Sequence, residues 1–179
     1  MVICGFSGIG KSTLARGGFY NRSGCIDLES SNFSHNEDGL LNVDFPVNYI
    51  DTLEKVREKH PYHHILLSCH QAVRDELRKR NIDYIIVLPE SDCRNEYVKR
   101  WVNRGSNIKF INNMYAHWHD YINSCIEDPA AKIFLAEGEY ISDVLHPGRG
   151  NVRWIINVKQ LFSIFSDCVS HSNRAENAH

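Results

Sequence analysis

No apolar run in this chain approaches the roughly 18 residues that a membrane-spanning helix needs, so no span is expected. Strong charge of either sign is also missing. A net charge of −2 over 179 residues argues against bulk nucleic-acid binding and leaves room only for a local basic patch. The six cysteines, at 4, 25, 69, 93, 125 and 168, include no C-x-x-C pair, so they lack the spacing of a zinc ribbon or a dithiol redox motif. Several fall in apolar runs, where cysteine behaves as a small buried hydrophobe. Reduced thiols and a cytoplasmic location are expected, and no secretory leader, because the apolar residues Met1–Cys4 run straight into a glycine-rich loop. No internal repeat or low-complexity tract occurs. No Asn is followed by Lys and no Asp has Gly three residues later, so N-K-x-D and D-x-x-G, the guanine-reading and γ-phosphate-sensing motifs of GTPases, are both absent.

What is present begins at the fifth residue. Gly5-Phe6-Ser7-Gly8-Ile9-Gly10-Lys11-Ser12-Thr13 satisfies G-x-x-x-x-G-K-[ST], with an extra glycine at position 8. An apolar run precedes it, and Leu14, Ala15 and Phe19 follow at roughly helical spacing, which is the strand–loop–helix context a phosphate-binding loop requires. Its glycines let the backbone N–H groups of Ser7 to Thr13 turn towards phosphate oxygens, and a helix starting near Lys11 adds its positive dipole end. Lys11 is expected to reach the β- and γ-phosphates of ATP, and Ser12 to hold Mg²⁺.

The remaining apolar runs are Cys25–Leu28, His64–Ser68, Tyr84–Leu88 and Lys132–Ala136. Most are continuous rather than alternating, as parallel strands covered on both faces require. Helical stripes lie between them, at Tyr49/Ile50/Leu53/Val56, Val73/Leu77, Tyr97/Val98/Trp101/Val102 and Ile111/Tyr115/Trp118/Ile122. Alternation of strand and helix implies an α/β protein with a doubly wound parallel sheet. Residues 1–169 read as a single domain and 170–179 as a polar, frayed tail, with Val152–Ile156 and Leu161–Phe165 packing as a terminal strand or helix. The third strand ends in Ser68-Cys69-His70 with no acid at its tip, which lowers the case for a motor ATPase.

With GTPases and motor ATPases disfavoured, the chain resembles the nucleotide-kinase branch of P-loop proteins over residues 1–145, and is similar as a whole to small predicted kinases of bacteriophages, whose compartment would be the host cytoplasm. The resemblance implies a P-loop kinase fold: three α/β/α layers, a five-stranded parallel sheet, and a helical lid over about 90–127. It implies transfer of the γ-phosphoryl group of MgATP to a nucleotide, first a (deoxy)nucleoside monophosphate. The alternatives are a hydroxyl acceptor on a polynucleotide, modified base or small metabolite, and an ATP-binding switch without catalysis.

Three constellations carry that expectation. Asp27-Leu28-Glu29-Ser30-Ser31 lies at the tip of the second strand, where an acid serves as general base or anchors Mg²⁺-bound water; Asp27, Glu29 and Ser30 are acceptor-side candidates. On the helix after the fourth strand, Arg100 and Arg104 share a face, with Arg94 and Lys99 nearby. As lid arginines they would neutralise charge on the transferred group, with Gly105-Ser106-Asn107 as hinge. His70 and Arg74 at the third strand's tip border the acceptor pocket, Arg74 as a phosphate-binding cation. Tyr49 fits a buried stripe better than a base-stacking role, and Glu137-Gly138-Glu139-Tyr140 falls where the family places the loop over adenine. The histidines at 60, 63, 64, 70, 117 and 119 lack the convergence that zinc demands.

Overall fold

Five apolar runs pair into one parallel sheet in the computed structural model, which describes residues 1–17, 24–36 and 40–145. The strands are β1 (Val2–Gly5), β2 (Cys25–Asp27), β3 (His64–Ser68), β4 (Tyr84–Pro89) and β5 (Ala131–Leu135), in the spatial order β2-β3-β1-β4-β5. The central strand β1 is buried along its whole length, with Ile3 level with Leu66 on one side and Ile85 on the other. Burial on both faces is why these runs are continuously apolar.

The helices among the described residues are α1 (Lys11–Arg16), α2 (Ser31–Ser34), α3 (Val47–Lys59), α4 (Gln71–Lys79), α5 (Arg94–Asn103), α6 (Ile108–Ala116), α7 (Trp118–Glu127) and α8 (Ile141–Val144). The chain leaves β1 towards β2 but leaves β3 and β4 in the opposite direction. Right-handed crossovers therefore set α1 on one face of the sheet and α4 on the other. In agreement, α1 packs near α8 while α3 packs against α4. The C-terminal tips of β1, β2 and β3 lie side by side, and the loops leaving them form the cleft where such sheets bind ligands.

Two features depart from the helical periodicity. The stripe Ile111/Tyr115/Trp118/Ile122 predicts one helix, whereas the chain breaks at His117 into α6 and α7. The break drives Trp118 fully into the core, where its indole N–H donates to the Ser91 carbonyl at 2.7 Å, and leaves Tyr115 outside, 45% exposed. Val102 also faces solvent, at 56% exposure.

The core beside the first loop is aromatic. Phe6 meets Trp118 at 5.4 Å between ring centroids, Tyr97 meets Trp118 at 5.5 Å, and Trp101 meets Trp118 at 6.1 Å. Edge and tilted pairs of this kind contribute about 1 kcal/mol each beyond their buried area. They fasten α5 and α7 to the residue that follows β1. This corrects the lid expectation for α5, which is a core helix through Tyr97 and Trp101 and not a flap hinged at Gly105. The sequence readings at Phe19, Val152–Ile156, Leu161–Phe165 and the tail 170–179 fall outside the described residues.

Candidate functional site

The loop between β1 and α1 is held from outside by its own carbonyls. Lys11 Nζ donates to the Gly5 and Phe6 carbonyls at 3.0 and 3.2 Å. Trp101 Nε1 donates to Ser7 O at 3.3 Å and Arg100 Nη1 to Gly8 O at 3.2 Å. Ile9 O accepts from the Ile141 N–H and Gly10 O from the Leu14 N–H, both at 2.9 Å. The backbone N–H groups from Ser7 through Thr13, by contrast, find no acceptor among the described residues. Consecutive N–H groups without acceptors form an anion cradle, and leaving them unpaired is costly unless a ligand or water meets them.

Two glycines make this geometry. Gly8 and Gly10 have φ of 92° and 94°, in the left-handed region that side chains resist. A Cβ at Gly8 would stand 2.9 Å from Trp101 Nε1, and one at Gly10 would stand 3.1 Å from Tyr140 Cδ1. Ile9 is fully buried and serves the loop through its backbone alone.

Arg100 of α5 and the exposed Arg104 that caps its C-terminus both reach this loop. Arg104 Nη2 donates to Ser7 Oγ at 3.0 Å. Arg100 bridges Gly8 O to Glu139 O (2.7 Å), pairs with Glu96, and stacks 3.9 Å above the Tyr140 ring. Arg100 therefore clamps the phosphate loop to the loop after β5. Arg94 does not join them; its guanidinium lies over Tyr115. Glu96, Trp101, Glu139 and Tyr140 complete the clamp. Helical spacing shows only that Glu96 and Arg100 share a face.

Asp27 at the tip of β2 accepts a hydrogen bond from Ser12 Oγ on Oδ2 at 2.6 Å, while its Oδ1 is buried without a partner. Burial pushes the Asp27 carboxyl above its ordinary range, against the opposing effects of the Ser12 hydroxyl and the Lys11 charge. An orphaned carboxylate oxygen beside a serine hydroxyl is a hard oxygen donor set, and it fits Mg²⁺. Glu29, two residues on, lines the open cleft and acts electrostatically on both His70 and Arg104. Ser30 is buried at the N-cap of α2 and the exposed His70 holds the N-cap of α4; neither makes a side-chain cap bond. Tyr49 is buried rather than base-stacking: its hydroxyl donates to Leu28 O at 2.5 Å and accepts from the Ser68 N–H at 3.2 Å, tying the β2 and β3 tips together.

Arg74 requires a correction. It was expected to bind an acceptor phosphate, but its side chain is only 2% exposed and its donors are engaged. Nε donates to Cys69 O at 3.1 Å, Nη1 to Ser124 O and Asp128 Oδ2 at 2.8 and 2.7 Å, and Nη2 to Ser124 Oγ at 2.5 Å. Burial alone would raise the Asp128 carboxyl, but hydrogen bonds from the Ala130 N–H and Tyr84, together with Arg74, outweigh it and hold the carboxyl below its usual range. Arg78 supports the same carboxylate. Arg74→Ala is expected to cost about 3 kcal/mol of stability, since Asp128 loses its fully buried partner and keeps only the half-exposed Arg78 as a counter-charge. Urea denaturation of the variant measures this. The Asp128 contribution is present above the ordinary carboxylate range and is lost as pH falls through its depressed value.

No family model matches this chain, and no curated protein does. A solved structure of an uncharacterized protein from Eubacterium ventriosum ATCC 27560 is similar over 77% of this chain and 89% of that one, at 16% identity and a TM-score of 0.39. A likeness of that size carries no argument about function.

Proposed function

We propose that this chain is a phosphotransferase of P-loop kinase type, using ATP and Mg²⁺ and acting on an acceptor seated between the tips of β2 and β3. The observation that carries the proposal is the loop whose carbonyls are engaged from Gly5 to Gly10 while its N–H groups from Ser7 to Thr13 remain without acceptors. Such a loop binds a polyphosphate through its backbone. Lys11, now on its own loop carbonyls, is within a side-chain rotation of a bound γ-phosphate. Arg104 neutralises charge at the loop's outer edge, and Arg100 is a positioning residue that keeps the loop in shape.

Ser12 and Asp27 would hold Mg²⁺, which when bound supplies charge neutralisation on the β- and γ-phosphates. Glu29 then remains as the acid facing the acceptor. Of the two acceptor classes expected from the sequence, a mononucleotide would draw on Arg74 together with the α5-end arginines Arg100 and Arg104. With Arg74 committed to Asp128, the geometry favours a hydroxyl acceptor, whose proton Glu29 is placed to receive.

The test is incubation of the purified protein with γ-labelled ATP, with and without Mg²⁺, and a panel of nucleosides, mononucleotides, 5′-hydroxyl oligonucleotides and small polyols. Mg²⁺-dependent transfer to a hydroxyl-bearing member is expected. Binding of ATP without transfer to any member would reduce the protein to a switch and defeat the proposal.

A further inference from the structure

The cleft does not stop at the phosphate loop. It has a volume of about 880 Å³ and continues past Ser68 and Cys69 to a wall built from the α6–α7 corner. That wall consists of Phe110, Asn113 and Met114 from α6 and Tyr121, Ser124 and Cys125 from α7. Positions 110, 113 and 114 share one face of α6 by helical spacing. Phe110 is steadied edge-on against Trp101 at 5.7 Å. Asn113 Nδ2 donates to the Tyr121 hydroxyl at 2.8 Å, which orients both groups and leaves the Asn113 carbonyl oxygen available.

The charge in the cleft is unevenly distributed. Lys11, Arg16, Arg100 and Arg104 each bond an atom of the phosphate loop or of Ser12 just after it. Arg74 is turned into Asp128 and Ser124. The α6–α7 wall carries no charged side chain of its own; the Arg104 guanidinium lies over its Phe110 ring at 5.5 Å, and the acid Glu29, just past the β2 tip, lines the same cleft. A phosphate on the acceptor would meet Glu29 there, and for neutralisation it would have to compete with Glu29, Ser7 and Ser106 for the one cation at that wall among the described residues, Arg104.

We propose that this wall seats the acceptor, and that the acceptor is a free nucleoside: its base lies against Phe110, Met114 and Tyr121, its polar edge meets the Asn113 amide, and a sugar hydroxyl points to Glu29. The proposal rests on the phosphotransferase reading above. A bare sugar would leave the aromatic wall unmatched, and a plain aromatic ring would leave the amide unpaired. A base joined to a sugar satisfies both and supplies the reacting hydroxyl. In the transfer, the hydroxyl oxygen forms the new P–O bond, the bond from the γ-phosphorus to the β–γ bridging oxygen breaks, and ADP leaves. The hydroxyl proton passes to Glu29.

Calorimetry separates the two layers of the argument. The chain is first titrated with the non-transferable analogue AMP-PNP in Mg²⁺, then, in that state, with common ribo- and deoxyribonucleosides, their 5′-monophosphates and a 5′-hydroxyl oligonucleotide. At least one nucleoside is expected to bind about tenfold or more tighter than its own monophosphate, the difference that a phosphate beside an acid, with Arg104 already engaged by Ser7 and Ser106, produces. Asn113→Trp, at an exposed position, is expected to abolish nucleoside binding, and Asn113→Ala to weaken it about tenfold, both with AMP-PNP binding intact as the control for folding. Failure to bind AMP-PNP defeats the phosphotransferase reading itself. AMP-PNP binding with no nucleoside binding overturns only the nucleoside assignment, as would tighter binding of monophosphates, binding of the oligonucleotide alone, or no effect of Asn113→Trp.

Discussion

Lys11→Ala is expected to lower phosphoryl transfer at saturating ATP by at least about 10²-fold, the usual consequence of removing a donor aimed at developing charge. The ammonium group lies 3.0 Å from Gly5 O and 3.2 Å from Phe6 O, on the same loop as the run of unpaired N–H groups. Its present partners are weakly held carbonyls, so an arriving γ-phosphate replaces two neutral acceptors with an anionic one and draws the group inward. The side chain contributes little to the core. It is half-buried and lines the cleft, as do Gly5 and Phe6, whose carbonyls it would leave. The fold should therefore survive, with circular dichroism and the melting transition unchanged. Near-normal turnover in a variant that passes those checks would refute the assignment of this loop as a triphosphate site.

The elements that the sequence made legible are those whose signal is local. Continuous runs such as Ile65-Leu66-Leu67 identify parallel strands because each is buried on both faces. The phosphate loop is legible because its glycines are required by backbone angles at Gly8 and Gly10. Arg100 and Arg104 were found by their four-residue spacing, which puts both on the loop side of α5. What stayed hidden depends on distant partners. Arg74 lies close to the β3 tip in sequence, but its role is decided by Asp128, 54 residues further on. Tyr49 and Trp101 read as stripe residues, and nothing local marks the hydrogen bonds by which they fasten the strand tips and the loop. The break at His117 is likewise invisible to periodicity, since a helix interrupted for one residue keeps nearly the same apolar spacing.

Asp27→Asn is expected to cost about 10²-fold or more in turnover while making the protein more stable at neutral pH. The second half of this expectation follows from the sign of the shift. Burial raises the Asp27 carboxyl above its value in the unfolded chain, so the folded state holds the proton more tightly. Stability therefore falls as pH rises from the ordinary carboxylate range through the raised value, and at neutral pH the ionised, half-enclosed carboxylate is a burden on the fold. Asparagine still accepts from Ser12 Oγ and carries no charge, so the variant should melt higher than the native protein at pH 7, with the gap closing on acidification below both carboxylate values. Mg²⁺ binding to Ser12 and Asp27 relieves the same burden, so millimolar Mg²⁺ should raise the melting temperature of the native chain and leave that of Asp27→Asn unmoved. Glu29→Gln, which removes the carboxylate proposed to face the acceptor, should lose turnover while keeping the Mg²⁺-dependent rise. A turnover loss under about threefold in Asp27→Asn would remove this residue from the chemistry. Destabilisation of that variant at neutral pH would mean that the carboxylate is kept for structure. On the proposed function, a cation arriving with the nucleotide would account for a carboxylate that weakens the fold when charged, sits against Ser12 and leaves one oxygen unpaired.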